Sequence, residues 1–292
     1  TPENYLREAV ESILAQTCAD FEFLILNDAS TDDNVEKVIN SYDDKRIRYW
    51  QNDRNLGISL SRNKLIGLSR GEYLAVFDHD DVSLPERLEK QAAFLDAHPE
   101  VGVVGCWYRI LGTENKVSRF PAEDAEIKEI MVNSCCICHP ASMIRRSVLV
   151  EHNIGYENDY TPAEDYALWC RLLSKTRFAN LPEVLFAYRN HEGNTSHLQR
   201  EKMRDASIRI QNFVRRDNPE LWAAAEAKMQ ETVKIRLFGL LPLLTIKRSR
   251  SRELWLLFGF VRLFDVGRKR VRKSPGSVSY THLRAHETRG NL

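Results

Sequence analysis

The chain has 292 residues, 43% of them hydrophobic and 28% charged, with 42 Lys or Arg against 41 Asp or Glu and a formal net charge of +1. That length suits one core of about 200 residues plus an appendage, and so even a charge balance sets up no global field for nucleic acid or acidic substrates, so no nucleic-acid partner is expected. No stretch reaches the roughly 18–20 uninterrupted apolar residues of a membrane-spanning helix, and no charged segment with a hydrophobic signal core follows Thr1-Pro2.

Residues 3–15 place Leu6, Val10, Ile13 and Leu14 at helical spacing. Position 1 is not Met and the chain opens directly into this helix, which predicts that a preceding strand lies outside the given sequence. An apolar run from Phe21 to Leu26 then reads as a strand ending in Asn27-Asp28. Ser30, with Asp33 three residues on, signals the start of a helix carrying Val35, Val38 and Ile39. A strand from Ile47 to Trp50 follows, then Asn55-Leu56-Gly57, then a helix with Leu60, Leu65 and Leu68 that Gly71 is expected to close. The strand Tyr73 to Phe77 runs straight into Asp78. Pro85 suits the first turn of the next helix, which carries Leu88, Ala92 and Leu95 and leads to the buried strand Val101 to Trp107.

Six cysteines, at 18, 106, 135, 136, 138 and 170, are scattered through these elements and read as reduced thiols. The run Cys135-Cys136-Ile137-Cys138-His139 has no second ligand pair at zinc-site spacing and reads as buried strand cysteines.

Strand alternating with helix at this pitch predicts an α/β fold with a mostly parallel sheet flanked by helices. Ligands of such sheets bind beyond the carboxyl ends of the strands. Asp28 and Asp78 each end an apolar strand and are therefore expected to open onto one edge.

Taken together, Asn27-Asp28-Ala29-Ser30-Thr31-Asp32, Asn55-Leu56-Gly57, Ser61-Arg62-Asn63, Phe77-Asp78-His79-Asp80-Asp81, Ala163-Glu164-Asp165-Tyr166-Ala167-Leu168-Trp169 and Tyr188-Arg189-Asn190-His191 strongly resemble the family 2 glycosyltransferases of the Rossmann-like GT-A fold. The resemblance covers residues 1–197, a catalytic domain whose first strand is absent from the given sequence. It implies a nucleotide-sugar donor, of which a UDP-sugar is the expected form, and a saccharide or lipid-linked acceptor in surface polysaccharide or glycolipid synthesis. Ala29 replaces the commoner Gly, a departure that is minor if the backbone there is not left-handed.

Loss of a nucleoside diphosphate builds negative charge that a hard divalent cation, Mg2+ or Mn2+, neutralises from carboxylate ligands. By the resemblance Asp80 contacts the metal directly and Asp78 lies near the metal or the ribose, with His79 facing elsewhere. Asp28 would bind the base, Arg62 the base or diphosphate, and Arg189 and His191 belong to a segment closing over the donor. On the acceptor side, Thr161, Pro162 and Glu164 fit a capping box, which leaves Asp165 as the general base of an inverting single displacement. No Gln-x-x-Arg-Trp pattern of processive members is present, so one sugar is added at a time.

Residues 198–273 read as a helical extension. Between Lys247 and Lys273 ten Lys or Arg face two acids, a composition suited to an anionic membrane surface and to a cytoplasmic protein peripheral to the inner face of the cell membrane. Residues 274–292 read as a disordered or artefactual tail whose His282 and His286 are not ligands. Two rival readings accompany this one. The strand ending in Asp78-His79-Asp80 also resembles haloacid-dehalogenase-type phosphatases, with Asp78 as nucleophile, and a non-catalytic nucleotide-sugar-binding protein would show the same donor motifs.

Overall fold

A computed structural model gives the structure of the protein and describes residues 2–31, 34–229, 231–237, 241–248, 252–257 and 261–267. The chain divides into two compact units, Thr1–Leu221 and Trp222–Leu292.

The first unit opens with α1 (Glu3–Leu14), whose stripe of Leu6, Val10 and Ile13 is buried. It meets Val38 and Ile39 of α2 (Asn34–Asn40) over Phe23 and Ile25 of β1 (Phe23–Asn27) and Ile47 and Tyr49 of β2 (Ile47–Gln51). Strands β1 and β2 pair in parallel, with Asn27 opposite Gln51. Next come α3 (Ile58–Leu68), β3 (Tyr73–Ala75), β4 (Val82–Ser83), α4 (Arg87–Ala97), β5 (Val101–Ile110) and β6 (Thr113–Ser118). Then follow α5 (Asp124–Met131), β7 (Met143–Arg145), α6 (Arg146–Glu151), α7 (Glu164–Leu172) and β8 (Arg177–Tyr188). These strands form one sheet in the order β3-β7-β5-β8-β4, with β6 paired to β5.

The α/β expectation holds, with a mixed sheet. Parallel pairing joins β1 to β2 and β5 to β8, while β3–β7, β5–β7, β4–β8 and β5–β6 are antiparallel. At its centre β5 is buried from Val101 to Cys106, and Leu95, Val104, Met143 and Phe186 close around it. Burial of each such side chain contributes roughly 1.5–3 kcal/mol.

The first unit continues through α8 (Thr195–Leu198) and α9 (Arg200–Asp217) to Leu221, beyond the boundary expected at 197. Ala206, Ile210 and Val214 repeat every four residues on one face of α9 and are fully buried, with α9 packed against α7. That stripe makes α9 part of the core.

Helix continues through α10 (Pro219–Met229) and then gives way to strands. In the second unit β9 (Glu231–Leu237), β10 (Leu241–Arg248), β11 (Arg252–Leu257) and β12 (Val261–Gly267) form an antiparallel meander. Over these strands this corrects the helical reading of residues 198–273. Apolar runs of about four to eight residues satisfy strand and helix periods alike, and Val233, Ile235 and Leu237 alternate with period two. The tail 274–292, His282 and His286 included, lies outside the described residues, as do Asp32 and Asp33. No helix among the described residues is long and apolar enough to cross a membrane.

All six cysteines are free thiols. Residues Cys135 to Cys138 form a loop into a short 3-10 turn at His139–Ala141 rather than a strand, and only Cys136 of the three is buried.

Candidate functional site

The site is assembled from the ends of β1 and β3, the first turns of α3 and α7, and the segment after β8. At the end of β1, Asn27 Oδ1 accepts the Ser30 N–H at 2.8 Å and its Nδ2 donates to the Tyr49 hydroxyl at 3.1 Å. The Asp28 carboxylate accepts Asn52 Nδ2 at 2.7 Å, Leu56 N–H at 2.9 Å and Gly57 N–H at 2.8 Å. Burial opposes its charge, but these donors and Ser61 outweigh burial and hold the carboxyl below its ordinary value. Gly57, at φ 85°, occupies the cap of α3 that a side chain would strain. Asp28 thus anchors the loop and helix that carry Arg62.

Ala29 has φ 54°, which corrects the expectation of an ordinary backbone there. A left-handed Cβ costs about 1–2 kcal/mol, and glycine gives back roughly 0.4–1 kcal/mol through the entropy of the unfolded chain. Ala29→Gly is therefore expected to stabilise the protein by roughly 0.5–1 kcal/mol, seen as a higher urea midpoint at unchanged slope. A lower midpoint would contradict the strain.

Beyond β3, the Val76 N–H donates to Ser142 O at 2.9 Å and extends the sheet towards Asp78. Under this turn lies Arg87, with 0% relative exposure, its Nη2 on the carbonyls of Val76 at 2.7 Å and Ser142 at 2.9 Å. Asp78 Oδ1 accepts Arg62 Nη2 at 3.0 Å. Asp80 Oδ2 lies 3.0 Å from His191 Nε2, while its carbonyl accepts Arg189 Nε at 2.7 Å. Arg189 also pairs with Glu8 and stacks 4.0 Å over the Tyr5 ring, and its N–H donates to Asp81 Oδ1 at 2.7 Å. Asp81 is buried, with Oδ2 unpartnered among the described residues. Its desolvation, opposed by the Arg189 N–H and reinforced by the charges of Asp78 and Asp80, pushes its pKa up to about 8. His79 is exposed.

The start of α7 is built differently from the capping box expected of it. The Thr161-Pro162 bond is cis and α7 begins at Glu164, with Ala163 as its cap and no side-chain capping bond. Thr161 Oγ1 instead lies 3.1 Å from Ser59 Oγ. Glu164 is an internal ion-pair partner, its Oε1 3.0 Å from Arg62 Nη1, with 6% side-chain exposure. Burial outweighs the bonds and raises its pKa. Arg62 therefore spans the two acidic motifs rather than standing free for the base or diphosphate.

Half-buried Asp165 accepts the Tyr166 N–H through Oδ1 at 2.7 Å. Its Oδ2 makes no hydrogen bond to another residue among those described. Burial raises its pKa, against the Tyr166 N–H and Arg62, with Asp78 adding to the rise. The Arg62 guanidinium also stands 5.5 Å over Tyr156, whose hydroxyl lies 2.7 Å from His139 Nε2. Asn63 locks this loop by exchanging two 2.8 Å bonds with the backbone of Tyr156. Neighbouring Gly155 permits the approach, since a Cβ there would stand 2.6 Å from Asn63 Oδ1. Tyr5, Glu8, Asn52, Arg87 and Tyr156 were not legible as site residues, because each acts across more than 20 positions or through a backbone carbonyl.

No group of three or more metal-binding side chains occurs among the described residues. The donor set nevertheless fits a hard divalent cation: Asp80 and His191 are already adjacent, and carboxylate with imidazole suits Mn2+ while carboxylate alone suits Mg2+. Asp78 is less available, with one oxygen committed to Arg62.

Residues 2–152 match the family model described as Glycosyl transferase family 2. An uncharacterized glycosyltransferase of Methanocaldococcus jannaschii is 34% identical over 211 residues, spanning 69% of this chain and 72% of that protein. The O-antigen biosynthesis glycosyltransferase WbnJ of Escherichia coli is 28% identical over 222 residues, spanning 73% of this chain and 85% of that protein. Among solved structures, S. aureus TarS in complex with UDP-GlcNAc has a TM-score of 0.59 at 22% identity, covering 71% of this chain and 62% of that one, which is less than two thirds. Mannosyltransferase PcManGT from Pyrobaculum calidifontis, in complex with GDP-Man and Mn2+, has a TM-score of 0.54 at 17% identity over 78% and 71% of the chains. At these identities the structural likeness is one of fold.

Proposed function

The chain belongs to glycosyl transferase family 2, and on that premise we propose that it moves one sugar from a UDP-sugar to a saccharide hydroxyl with inversion. The observation that carries this reading is the Arg62 bridge. One guanidinium holds Asp78 of the donor-side turn and Glu164 of the acceptor-side helix, each at 3.0 Å. The two halves of the site are thereby set at a fixed separation, with Asp165 beside them.

In this mechanism the acceptor oxygen attacks the anomeric carbon as its proton passes to Asp165 Oδ2. The bond from that carbon to the diphosphate oxygen breaks, and the electron pair leaves with the nucleoside diphosphate. Asp165 Oδ1 stays on the Tyr166 N–H, so the accepting oxygen is oriented. Arg62 fixes Asp78, and Arg189 fixes the carbonyl of Asp80. Asp80 and His191 would hold the divalent cation, which when bound neutralises charge developing on the diphosphate. Asp28 shapes the donor pocket through the loop to Gly57. A pyrimidine base is favoured by TarS, solved with UDP-GlcNAc and with UDP. WbnJ, named for O-antigen biosynthesis, supports a surface polysaccharide as the acceptor class. Family membership replaces the phosphatase reading, and the engagement of Asp78 with Arg62 suits a positioned acid better than a free nucleophile.

The test is hydrolysis of a panel of UDP- and GDP-sugars with Mn2+, with Mg2+ and after chelation. Metal-dependent release of UDP is expected, falling on chelation and in Asp80→Ala. Release of GDP alone would overturn the donor assignment, and donor binding with no turnover even with acceptor would favour a non-catalytic protein.

A further inference from the structure

A concavity of the first unit is lined in part by elements that also carry site residues. Its volume, about 470 Å³, falls within the range of small-molecule sites, roughly 300–1,000 Å³. Two elements serve both places. Between Ile154 and Tyr160, Tyr156 carries the Arg62 guanidinium over its ring, whereas Glu157 and Tyr160 line the groove. Helix α7 contributes Asp165 to the site at one end and Arg171 to the groove, six residues on, about 9 Å along the axis at 1.5 Å per residue.

The lining has the chemistry of a sugar-binding surface. Tyr160 and Phe213 meet with centroids 5.7 Å apart at 57°, an apolar corner for the C–H face of a pyranose ring. Arg171–Glu157 at 2.7 Å and Arg216–Asp217 at 2.6 Å are exposed or half-exposed ion pairs. Each sets a fork of donors beside carboxylate acceptors, the pattern that vicinal hydroxyls satisfy. Lys175 is exposed and makes no ion pair among the described residues. Three cations against two carboxylates leave a net charge of +1 with His152 neutral, too little for a polyanion and suited to one acidic substituent.

Building on the glycosyl-transfer reading, we infer that this groove is an acceptor subsite for units of an oligosaccharide beyond the one that receives the new sugar. The acceptor is then a chain, and the shared elements align it with Asp165. Aromatic stacking on Tyr160 and Phe213 holds one ring, and Lys175 meets a carboxylate carried by the chain.

Saturation-transfer NMR with maltotriose, N,N′,N″-triacetylchitotriose and trigalacturonate, beside glucose, N-acetylglucosamine and galacturonate, tests this directly on the full chain. At least one trimer is expected to bind 10-fold or more tightly than its monomer. Phe213→Ser should reduce that binding at least 10-fold, and Lys175→Glu, at an exposed position that folding tolerates, should remove any preference for trigalacturonate. Failure of all three trimers, or binding unchanged in both variants, overturns the groove. Donor hydrolysis measured on the same proteins separates the two readings: turnover without trimer binding sinks the groove alone. Trimer binding lost in Phe213→Ser without any donor turnover sinks glycosyl transfer and leaves the groove as a saccharide site.

Discussion

Asp165→Asn is expected to reduce sugar transfer by roughly 10²–10⁴-fold, the contribution of a positioned general base, while nucleotide affinity stays unchanged. The substitution is unusually clean because the two carboxylate oxygens have separate tasks. Oδ1 accepts the Tyr166 N–H at the start of α7, and an amide oxygen does the same. Only the second oxygen, the one able to take a proton, is lost. Burial places the wild-type pKa above its ordinary carboxylate value. Below that raised pKa the base is protonated and idle, so kcat/KM should climb with pH through it and then level, and the residual activity of Asp165→Asn should lack this limb.

Stability moves the other way. A carboxylate whose folded pKa is raised opposes folding once pH exceeds its unfolded value, and the penalty reaches its full size above the folded pKa. At neutral pH Asp165→Asn should therefore be at least as stable as the wild type, with a thermal midpoint that is equal or higher. Unchanged turnover, or a loss of activity that tracks a loss of fold, would remove Asp165 from the role of base.

Arg62→Met should be the most destabilising single change near the site, by about 3–5 kcal/mol. Glu164 has 6% side-chain exposure and Arg62 17%, so solvent does little to screen the pair. Removing the guanidinium leaves Glu164 buried without its counter-charge, while Oε2 already has no partner among the described residues. It also frees Asp78. Lysine should rescue poorly, because one ammonium cannot span two carboxylates that a planar fork reaches from separate nitrogens. Adding Glu164→Gln to Arg62→Met should recover part of the stability but not the activity, since Asp78 remains unanchored. Urea denaturation of the two single variants and the double variant measures the coupling. A loss below about 1 kcal/mol for Arg62→Met would show the bridge to be a surface-like pair.

Several parts of this site were legible one residue at a time. Asp28 and Asp78 follow apolar strands, and the ends of such strands are where ligands are met, whereas Asp80 was singled out by the family resemblance. The spacing of Leu6, Val10 and Ile13 announced α1 without help from the rest of the chain. Glu164 shows the limit of that kind of reading. Thr161, Pro162 and Glu164 satisfy the local grammar of a helix start, yet the helix begins at Glu164 itself and the side chain turns to Arg62, 102 positions away. Ala29 is a second case: its residue type does not reveal φ 54°, in a turn that Asn27 closes onto Ser30 and Asp28 ties to Leu56 and Gly57.

The sequence by itself determined the family and the order of most elements in the first unit, because motif order and apolar periodicity are properties of the chain. Only the tertiary structure decided how those groups are shared out. It assigned Glu164 to Arg62, left one oxygen of Asp165 without a hydrogen bond to another described residue, placed Arg189 on the Asp80–Asp81 turn against Tyr5 and Glu8, and made residues 231–237, 241–248, 252–257 and 261–267 strands where a helix had been read. The reason is common to all of them. A buried charge takes whichever partner the packing brings within about 3 Å, and a short apolar run takes whichever period its neighbours can pair with; neither choice is made locally.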